Sequence, residues 1–370
     1  MILHISHTNI QTDARILREM ETVACFGQVI GLGLKRENIF DLNLNTNLKL
    51  YLLSTPITNY LRILPRIFRY IALYPLFLYL EIFIRSFITL RNKRIKVIHC
   101  HDYLMLPISV FLKIYFRCKL VYDAHELESL KNGVNKFSSL IIFLLEKILW
   151  SNLDAFITVS PRILNWYSEN FKIPISEIIY NVPPIRSNPN YKLITDVTKI
   201  NFVYVGLLVR GRGIENILKC FSHETPHSVT FVGDGDLTEL IKSYSNEYKN
   251  IQYSEPIFAN DLPSYLSKYD VGFCTIPSST SLSDYYSLPN KLFEYLFAGL
   301  VIVATDLPEI NDVLSSTGRG VVIKNENFDM SYLTNNLSHN KFSLNPNLDN
   351  YLFENQQVKL RLLYNKLNIN

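Results

Sequence analysis

The stretch NFVYVGLLVRGRGIENIL, residues 201–218, indicates the fold of this chain. Residues 201–205 form a short apolar run that is typical of a parallel strand covered on both faces. A loop follows in which Gly206, Gly211 and Gly213 flank two arginines, and a helical pattern begins directly afterwards. This order of strand, glycine loop and helix predicts one unit of a doubly wound α/β domain.

The same alternation continues on both sides of this stretch. The strands predicted beyond it are 228–232, 251–253, 271–275, 301–304 and 320–323. The strands predicted before it are 2–6, 28–33, 96–100, 119–123 and 154–159, with helices at 13–26, 104–115 and 136–150 between them. We therefore expect two Rossmann-like domains in tandem that face each other across a central cleft.

The domain boundaries follow from a change in composition. The proline- and asparagine-rich segment NVPPIRSNPN, residues 181–190, predicts the linker. We assign residues 1–183 to the N-terminal domain, residues 184–345 to the C-terminal domain and residues 346–370 to a final helix.

Composition excludes several classes of protein. Hydrophobic residues make up 48% of the chain and charged residues 19%, so extensive disorder is not expected. The net charge of +4 is too small to indicate nucleic-acid binding. The five cysteines contain no CxxC pair, which favours reduced thiols in the cytoplasm. The first residues, MILHISHTN, lack the basic region of a signal peptide and predict a strand.

Residues 57–91 form the one membrane-like segment. Its apolar content suggests a spanning helix, but Glu81 and Arg85 interrupt the most apolar part and make that interpretation the least favoured. Two alternatives remain: a long helix packed on a sheet, and an amphipathic helix on an anionic bilayer. The packed helix is the simpler of the two. The segment RNKRIK, residues 91–96, adds positive charge, and under the second alternative residues 57–96 would provide a peripheral membrane contact.

Loops after the strands are the candidate ligand sites, since open parallel sheets bind ligands beyond the carboxyl ends of their strands. Arg210 and Arg212, beside Gly206 and a helix N-terminus, suit a diphosphate group. The alternative is an ordinary turn with solvated arginines. In VGDGDL, residues 232–237, Gly233 permits close approach of the backbone to a ligand, although a simple turn fits equally well.

The segment SDYYSLPNKLFEYLFAGLVIVATDLPEI, residues 283–310, is the most specific of these loops. Lys291 and Glu294 are three residues apart and thus share one face of the predicted helix. The lysine suits phosphate and the carboxylate suits ribose hydroxyls, although a surface ion pair is the simpler alternative. Ser287 and Leu288, in the turn before this helix, are further candidates for binding the donor.

Polar side chains also follow two predicted strands of the first half, in the sequences HCHD, residues 99–102, and DAHE, residues 123–126. Histidines and carboxylates can together form a metal site. We predict none, because histidines that face a cleft from strand ends need no metal. A buried or capping histidine is the alternative at each position, His125 included.

These pieces together resemble the family 4 (group 1) retaining glycosyltransferases of GT-B fold. The matching stretches are TNIQTDARILREM, VIHCHDYLMLP, VYDAHEL, TVSPRI, IIYNVPP, YVGLLVRGRGIE, VGDGDL and YSLPNKLFEYLFAGLVIVATDLPEI, in the order of the family. The resemblance implies an acceptor site mainly in the N-terminal domain and a donor site mainly in the C-terminal domain. It also implies that the last helix crosses back to the first domain.

The resemblance assigns roles to four residues. Arg212 and Lys291 would hold the donor phosphates, Glu294 would bind the ribose, and His125 would lie near the transferred sugar. The sequence departs from the family pattern at Tyr286, where the first glutamate of the E-x7-E signature would stand, and at Leu207, where many members have a basic residue.

The expected activity is that of a retaining, metal-independent hexosyltransferase. It would use a UDP-sugar or GDP-sugar and a saccharide or lipid-linked saccharide acceptor, in the synthesis of a cell-envelope polysaccharide such as lipopolysaccharide or capsule. We expect a cytoplasmic protein, peripheral on the inner face of the membrane. A nucleotide-sugar epimerase and a non-catalytic nucleotide-sugar-binding partner of an assembly complex are the alternatives.

Overall fold

Two parallel β-sheets organise the part of the chain that the structure describes, one of seven strands in the N-terminal half and one of six in the C-terminal half. The computed structural model describes residues 1–35, 46–55, 73–184, 189–191, 194, 197–276, 281–324 and 328–368. Separate apolar cores lie on the two faces of each sheet. The architecture is therefore the two-domain α/β arrangement that the sequence predicts.

The N-terminal sheet contains strands β1 Ile2–Ile5, β2 Val29–Leu34, β3 Leu48–Leu53, β4 Val97–His101, β5 Lys119–Ala124, β6 Ala155–Thr158 and β7 Ile175–Ile178. Their order is β3-β2-β1-β4-β5-β6-β7, and all pairs are parallel. In this register Ile2 lies opposite both Val29 and Val97. The carboxyl ends of β1, β4 and β5 consequently meet at one edge of the sheet.

The helices of this half are α1 Ala14–Val23, α2 Leu73–Leu90, α3 Leu106–Phe116, α4 Lys136–Leu149 and α5 Pro161–Asn170. The Asp13 carboxylate accepts hydrogen bonds from the first backbone N–H groups of α1 and so caps it. Helices α2 and α3 bury one side in the core on one face of the sheet, whereas α1 packs on the opposite face.

The C-terminal sheet contains β8 Asn201–Val205, β9 Ser228–Val232, β10 Ile251–Ser254, β11 Val271–Cys274, β12 Val301–Thr305 and β13 Gly320–Ile323. Its order is β10-β9-β8-β11-β12-β13, again with parallel pairs. Its helices are α6 Ile214–Phe221, α7 Thr238–Glu247, α8 Leu262–Leu266, α9 Leu282–Tyr285, α10 Asn290–Phe297, α11 Pro308–Thr317 and α12 Met330–His339.

A last helix, α13 Phe353–Lys366, packs against α1 and β7 of the first domain. Arg361 Nε donates to the backbone oxygen of Thr22 at 3.3 Å, and Lys359 Nζ donates to that of Ile178 at 3.4 Å. Leu360, Leu363 and Tyr364 are buried in the N-terminal core. The C-terminal segment thus covers the face of the first sheet that α1 leaves open.

The predicted elements agree with the structure best in the C-terminal domain, where the predicted bounds of β8, β9 and β13 are the observed ones. Sequence analysis overlooked the two edge strands β3 and β7, and also α5, α9, α11 and α12. Residues 57–72 of the membrane-like segment lie outside the described residues. Among the helices that the structure describes, none is long and apolar enough to cross a membrane.

The two glycine loops of the C-terminal domain pack directly on each other. Gly233 has a φ of 146°, and a Cβ atom at this position would collide with the carbonyl oxygen of Gly206. The backbone N–H of Gly206 in turn donates to the carbonyl of Val232 at 3.0 Å. Gly233 therefore allows the loop after β8 to take its position.

We predict that Gly233→Ala destabilises the protein by about 3 kcal/mol, because it combines a disfavoured φ with overpacking against backbone. Gly211→Ala is the control: its φ is also positive, at 76°, but no atom lies within 4 Å of the added Cβ. The control should cost only about 1 kcal/mol. Thermal and urea denaturation would measure both, and equal losses would contradict the packing argument.

Candidate active site

Lys291 and the loop after β8 form the centre of the candidate site. Lys291 lies on the first turn of α10, and its Nζ is 3.6 Å from the centroid of the Tyr204 ring on β8. A Cβ atom at Gly206, where φ is 126°, would already touch this lysine at 3.6 Å. Since 3.6 Å is an ordinary contact distance, the positive φ of Gly206, and not a lack of space, favours glycine beside the ammonium group.

The two arginines of this loop point in different directions. Arg212 Nη1 lies 3.7 Å from Asp284 Oδ1, and the carboxylate is mostly buried. The Arg212 side chain is also close enough to Lys291 for its charge to lower the lysine pKa. Arg210, by contrast, is 83% exposed and lies 4.0 Å from Glu215. The charge of Arg212, and not that of Arg210, therefore acts on Lys291.

The charges of Lys291 and Arg212 favour an anionic ligand. Burial lowers the pKa of Lys291 to about 8, and the positive charge of Arg212 acts in the same direction. Burial also raises the pKa of Glu294, against the opposing charges of Lys291 and Arg18. Two cations that repel each other in a partly buried site would both be stabilised by a diphosphate.

The turn before α10 holds the other predicted donor contacts. The Ser287 hydroxyl donates to the backbone oxygen of Asp284 at 2.8 Å, and Leu288 is buried in the C-terminal core. These two side chains therefore stabilise the turn. Gly233, as described above, supports the neighbouring loop.

A cavity of about 520 Å³ lies between the domains and is lined in part by Glu294. From the N-terminal domain its lining includes Asn9, Asp13 and Arg18, and from the C-terminal domain it includes Asn290 and Glu294. Arg212, Lys291 and His125 are not among its lining residues. The cavity thus extends the site from Glu294 toward the N-terminal domain, with room for a ligand larger than phosphate.

His125 follows β5 on the N-terminal side of the cleft. Its Nε2 lies 3.0 Å from Asp123 Oδ2, and its Nδ1 lies 3.6 Å from Asp102 Oδ1. Burial alone would lower the pKa of His125, but the charges of Asp123 and Asp102 outweigh it and raise the pKa to about 10. The imidazole is therefore protonated at neutral pH.

A buried network behind His125 was not predicted from the sequence. Arg15 on α1 donates from Nη2 to Asp123 at 3.0 Å, and its Nε lies 3.1 Å from Glu19. Tyr364 on α13 hydrogen-bonds His99 Nδ1 at 2.9 Å, and His99 Nε2 is 3.7 Å from Asp123. The available signal was the spacing of Arg15 and Glu19, which places them on one face of α1.

Parts of this network could be considered as metal sites. Two groups of side chains in the described part of the chain bring possible ligand atoms within 4.8 Å of one another; they are His4, Glu19, His99 and His101, and His101, Asp123 and His125. The rings of His99 and His101 are stacked, however, with an angle of 11° between their planes. Because the lone pair of an imidazole nitrogen lies in the plane of its ring, the lone pairs of two stacked rings run parallel and do not converge on one metal ion. Both ring nitrogens of His101, which belongs to both groups, already lie at hydrogen-bond distance from another histidine: Nε2 is 3.0 Å from His4 Nδ1 and Nδ1 is 3.3 Å from His125 Nε2.

Direct hydrogen bonds join the domains beside the site. The backbone N–H of Leu127 donates to Ser283 Oγ at 3.1 Å, and Ser160 Oγ donates to the backbone oxygen of Tyr286 at 2.9 Å. Arg162 Nη1 donates to Asp312 at 2.6 Å. The Tyr286 ring packs against the N-terminal core, so the residue that replaces the expected glutamate serves the domain contact.

Two Rossmann-like domains that face each other across such a cleft define the GT-B fold. A Glycosyltransferase Family 4 model matches residues 51–182, and a Glycosyl transferases group 1 model matches residues 199–335. The two matches together cover more than half of the chain, which belongs to the family 4, group 1 glycosyltransferases. No curated protein matches the sequence significantly.

Solved structures agree with this fold. Sucrose-phosphate synthase from Thermosynechococcus elongatus matches with a TM-score of 0.68 and 16% identity, over 100% of this chain and 96% of that chain. The lipopolysaccharide outer core galactosyltransferase WaaB matches with a TM-score of 0.68 and 11% identity, over 99% of both chains. Anabaena HepE in complex with UDP matches with a TM-score of 0.60 and 12% identity, over 100% of this chain and 96% of that chain.

We predict that His125 titrates with a midpoint of about 10 in the folded protein, above the ordinary value of 6.5. Its contribution to stability should therefore be complete below pH 6.5 and be lost as the pH rises toward 10. Histidine NMR would follow the ring, with His125→Gln to assign its signal and Asp102→Asn to lower the midpoint. A midpoint near 6.5 in the unmutated protein would contradict the described ion pairing.

Proposed function

We propose that this glycosyltransferase moves a sugar, with retention of configuration, from a UDP-sugar or GDP-sugar to a saccharide or lipid-linked saccharide acceptor. The observation that carries the proposal is that Lys291 lies against Tyr204 at the end of β8 and Arg212 follows in the loop after this strand, while Glu294, on the helix of Lys291, lines an interdomain cavity. This set matches the three charged groups that a nucleoside diphosphate needs: two cations for the phosphates and one carboxylate for the ribose.

The same cations would support the reaction. As the bond between the anomeric carbon and the diphosphate oxygen breaks, negative charge develops on the departing group. Lys291, Arg212 and the N-terminus of α6 are in position to stabilise that charge. The proposed reaction therefore needs no divalent metal, and we expect activity to survive EDTA.

His125 acts as a hydrogen-bond donor in this proposal. With a pKa of about 10 it keeps its proton at neutral pH and is a poor general base. It would instead donate to a hydroxyl of the transferred sugar or to the acceptor. Retention follows if the acceptor hydroxyl attacks on the face from which the diphosphate departs, and the anomeric proton coupling of the product reports it.

Names of related structures support the choice of substrates. HepE was solved with UDP, and WaaB is named as a galactosyltransferase of the lipopolysaccharide outer core. We propose by analogy a nucleoside diphosphate donor and a role in cell-envelope polysaccharide synthesis. The proposed location is the inner face of the cytoplasmic membrane, with residues 57–96 in contact with lipid.

We predict that Arg212→Ala lowers kcat by about 100-fold to 1000-fold, the loss typical of removing one group that stabilises developing charge. Lys219→Ala, an exposed cation on the following helix α6, is the matched control and should keep full activity. Initial rates with a radiolabelled nucleotide sugar would measure both variants. Full activity of Arg212→Ala, at an unchanged melting temperature, would remove this residue from the proposed site.

Donor affinity should weaken as the pH rises through about 8, because deprotonation of Lys291 removes one phosphate contact. Lys291→Arg should abolish this pH dependence, since arginine keeps its charge. Calorimetry with UDP and GDP between pH 6.5 and 9.5, roughly spanning that pKa, would provide the dissociation constants. An unchanged affinity over this range would contradict a role of the ammonium group in binding.

A further inference from the structure

The helices α2, α3 and α4 expose an unusual amount of apolar surface. In α4, Phe137 and Ile148 are each 73% exposed, and three more apolar residues lie on the same side. More than half of the exposed large apolar side chains in the described part of the chain belong to these helices; they are Leu76, Phe77, Leu80, Ile84, Ile88, Phe111, Ile114, Tyr115, Phe137, Leu140, Ile141, Leu144 and Ile148. Contiguous apolar surface of this kind indicates an interaction site.

The three helices lie side by side, so their exposed residues form one surface. The Phe111 ring on α3 packs edge-on against Phe83 of α2, with centroids 4.8 Å apart. Tyr115 packs in the same way against Phe87 at 4.9 Å. Helix α4 lies against the other side of α3. We call the outward side of α2, α3 and α4 the apolar helix layer.

The exposed charge of the apolar helix layer is positive. Its acidic residues are Glu81, which is buried and paired with Arg85 at 3.0 Å, and Glu146, which is buried and accepts hydrogen bonds from two tyrosines. Neither carboxylate faces the solvent. The exposed charges on the helices and the turns that follow them are positive: Arg91, Arg94, Lys96, Arg117, Lys136 and Lys147.

We infer that the apolar helix layer docks on a lipid bilayer that contains anionic headgroups. Apolar side chains flanked by lysine and arginine fit the boundary between acyl chains and negative headgroups. A second copy of this chain fits less well. A two-fold dimer brings the same patch of both copies together and would place cations opposite cations.

This inference rests on the proposed function only for the membrane contact of residues 57–96, which it extends to α3 and α4. Helix α4 begins eleven residues after His125, at the edge of the sheet where the candidate site lies. Docking through this layer would therefore bring the N-terminal side of the cleft close to the headgroups, where a lipid-linked acceptor is found.

The test is sedimentation of the full chain with vesicles. One set consists of phosphatidylcholine and the other contains about one third phosphatidylglycerol. The apolar variant is Phe137→Ser/Ile148→Ser and the charge variant is Lys136→Glu/Lys147→Glu. The matched control, Val358→Ser/Leu362→Ser, changes two half-exposed apolar residues on α13, on the opposite face of the same sheet.

We expect the unmutated chain to bind the anionic vesicles, and high salt to weaken the binding by screening. The apolar variant should bind at least about tenfold more weakly and the control as tightly as the unmutated chain. The charge variant should lose its preference for phosphatidylglycerol. UDP or GDP binding should be the same in all four proteins, which separates this inference from the proposed function.

Three results would overturn the inference. The unmutated chain could remain in the supernatant with both kinds of vesicle. The control pair could reduce binding as much as the apolar variant does. Sedimentation equilibrium could reveal a dimer that Phe137→Ser/Ile148→Ser dissociates, which would identify the layer as a contact between copies.

Discussion

The buried carboxylate of Asp123 is the charge around which the N-terminal half of the site is built. Arg15 reaches it from α1 with paired hydrogen bonds, and His125 approaches it from the loop after β5. These charges hold the pKa of Asp123 well below its ordinary value, although burial acts in the opposite direction. Removing one partner of a buried ion pair is costly because it leaves the other charge unpaired in a medium of low polarity. Since Arg15 also donates to the backbone oxygen of Ile179, the same contact ties β5 to the segment that leads out of the domain.

Local patterns in the sequence were sufficient to predict much of the fold and part of the candidate site. The strands of the C-terminal sheet are apolar runs between glycine loops, and such runs are recognisable without a structure. The edge strand β7, ISEI, is half exposed and has no such pattern, which explains why it was overlooked. The spacing of Lys291 and Glu294 predicted a shared helix face. The composition of the loop alone could not decide between Arg210 and Arg212, because the direction of each side chain depends on the fold of the loop; the family resemblance was what assigned the phosphates to Arg212.

The rest of the site depends on contacts between distant segments. Arg15 and Asp123 are 108 residues apart, and no local pattern connects them. Gly233 looked like a ligand contact from its sequence, yet the packing of two loops requires a glycine there. Tyr286 is another residue whose role depends on a contact with a distant segment. It contacts the other domain, and Asp284, two residues before it, pairs with Arg212. The domain contact and the proposed donor site therefore meet at the short helix α9 and the residue that follows it.

The position of helix α13 has a consequence for biosynthesis. Tyr364 completes the layer over the first sheet and hydrogen-bonds His99, which precedes it by 265 residues. Translation proceeds from the N-terminus, so the first sheet and the whole C-terminal domain emerge from the ribosome before this helix does. During that time the sheet face beside α1 is open to water, and the His99 imidazole lacks its phenol partner. The nascent N-terminal domain should thus depend on chaperones until α13 is released, whereas the C-terminal domain can fold once α12, which contributes to its core, has emerged.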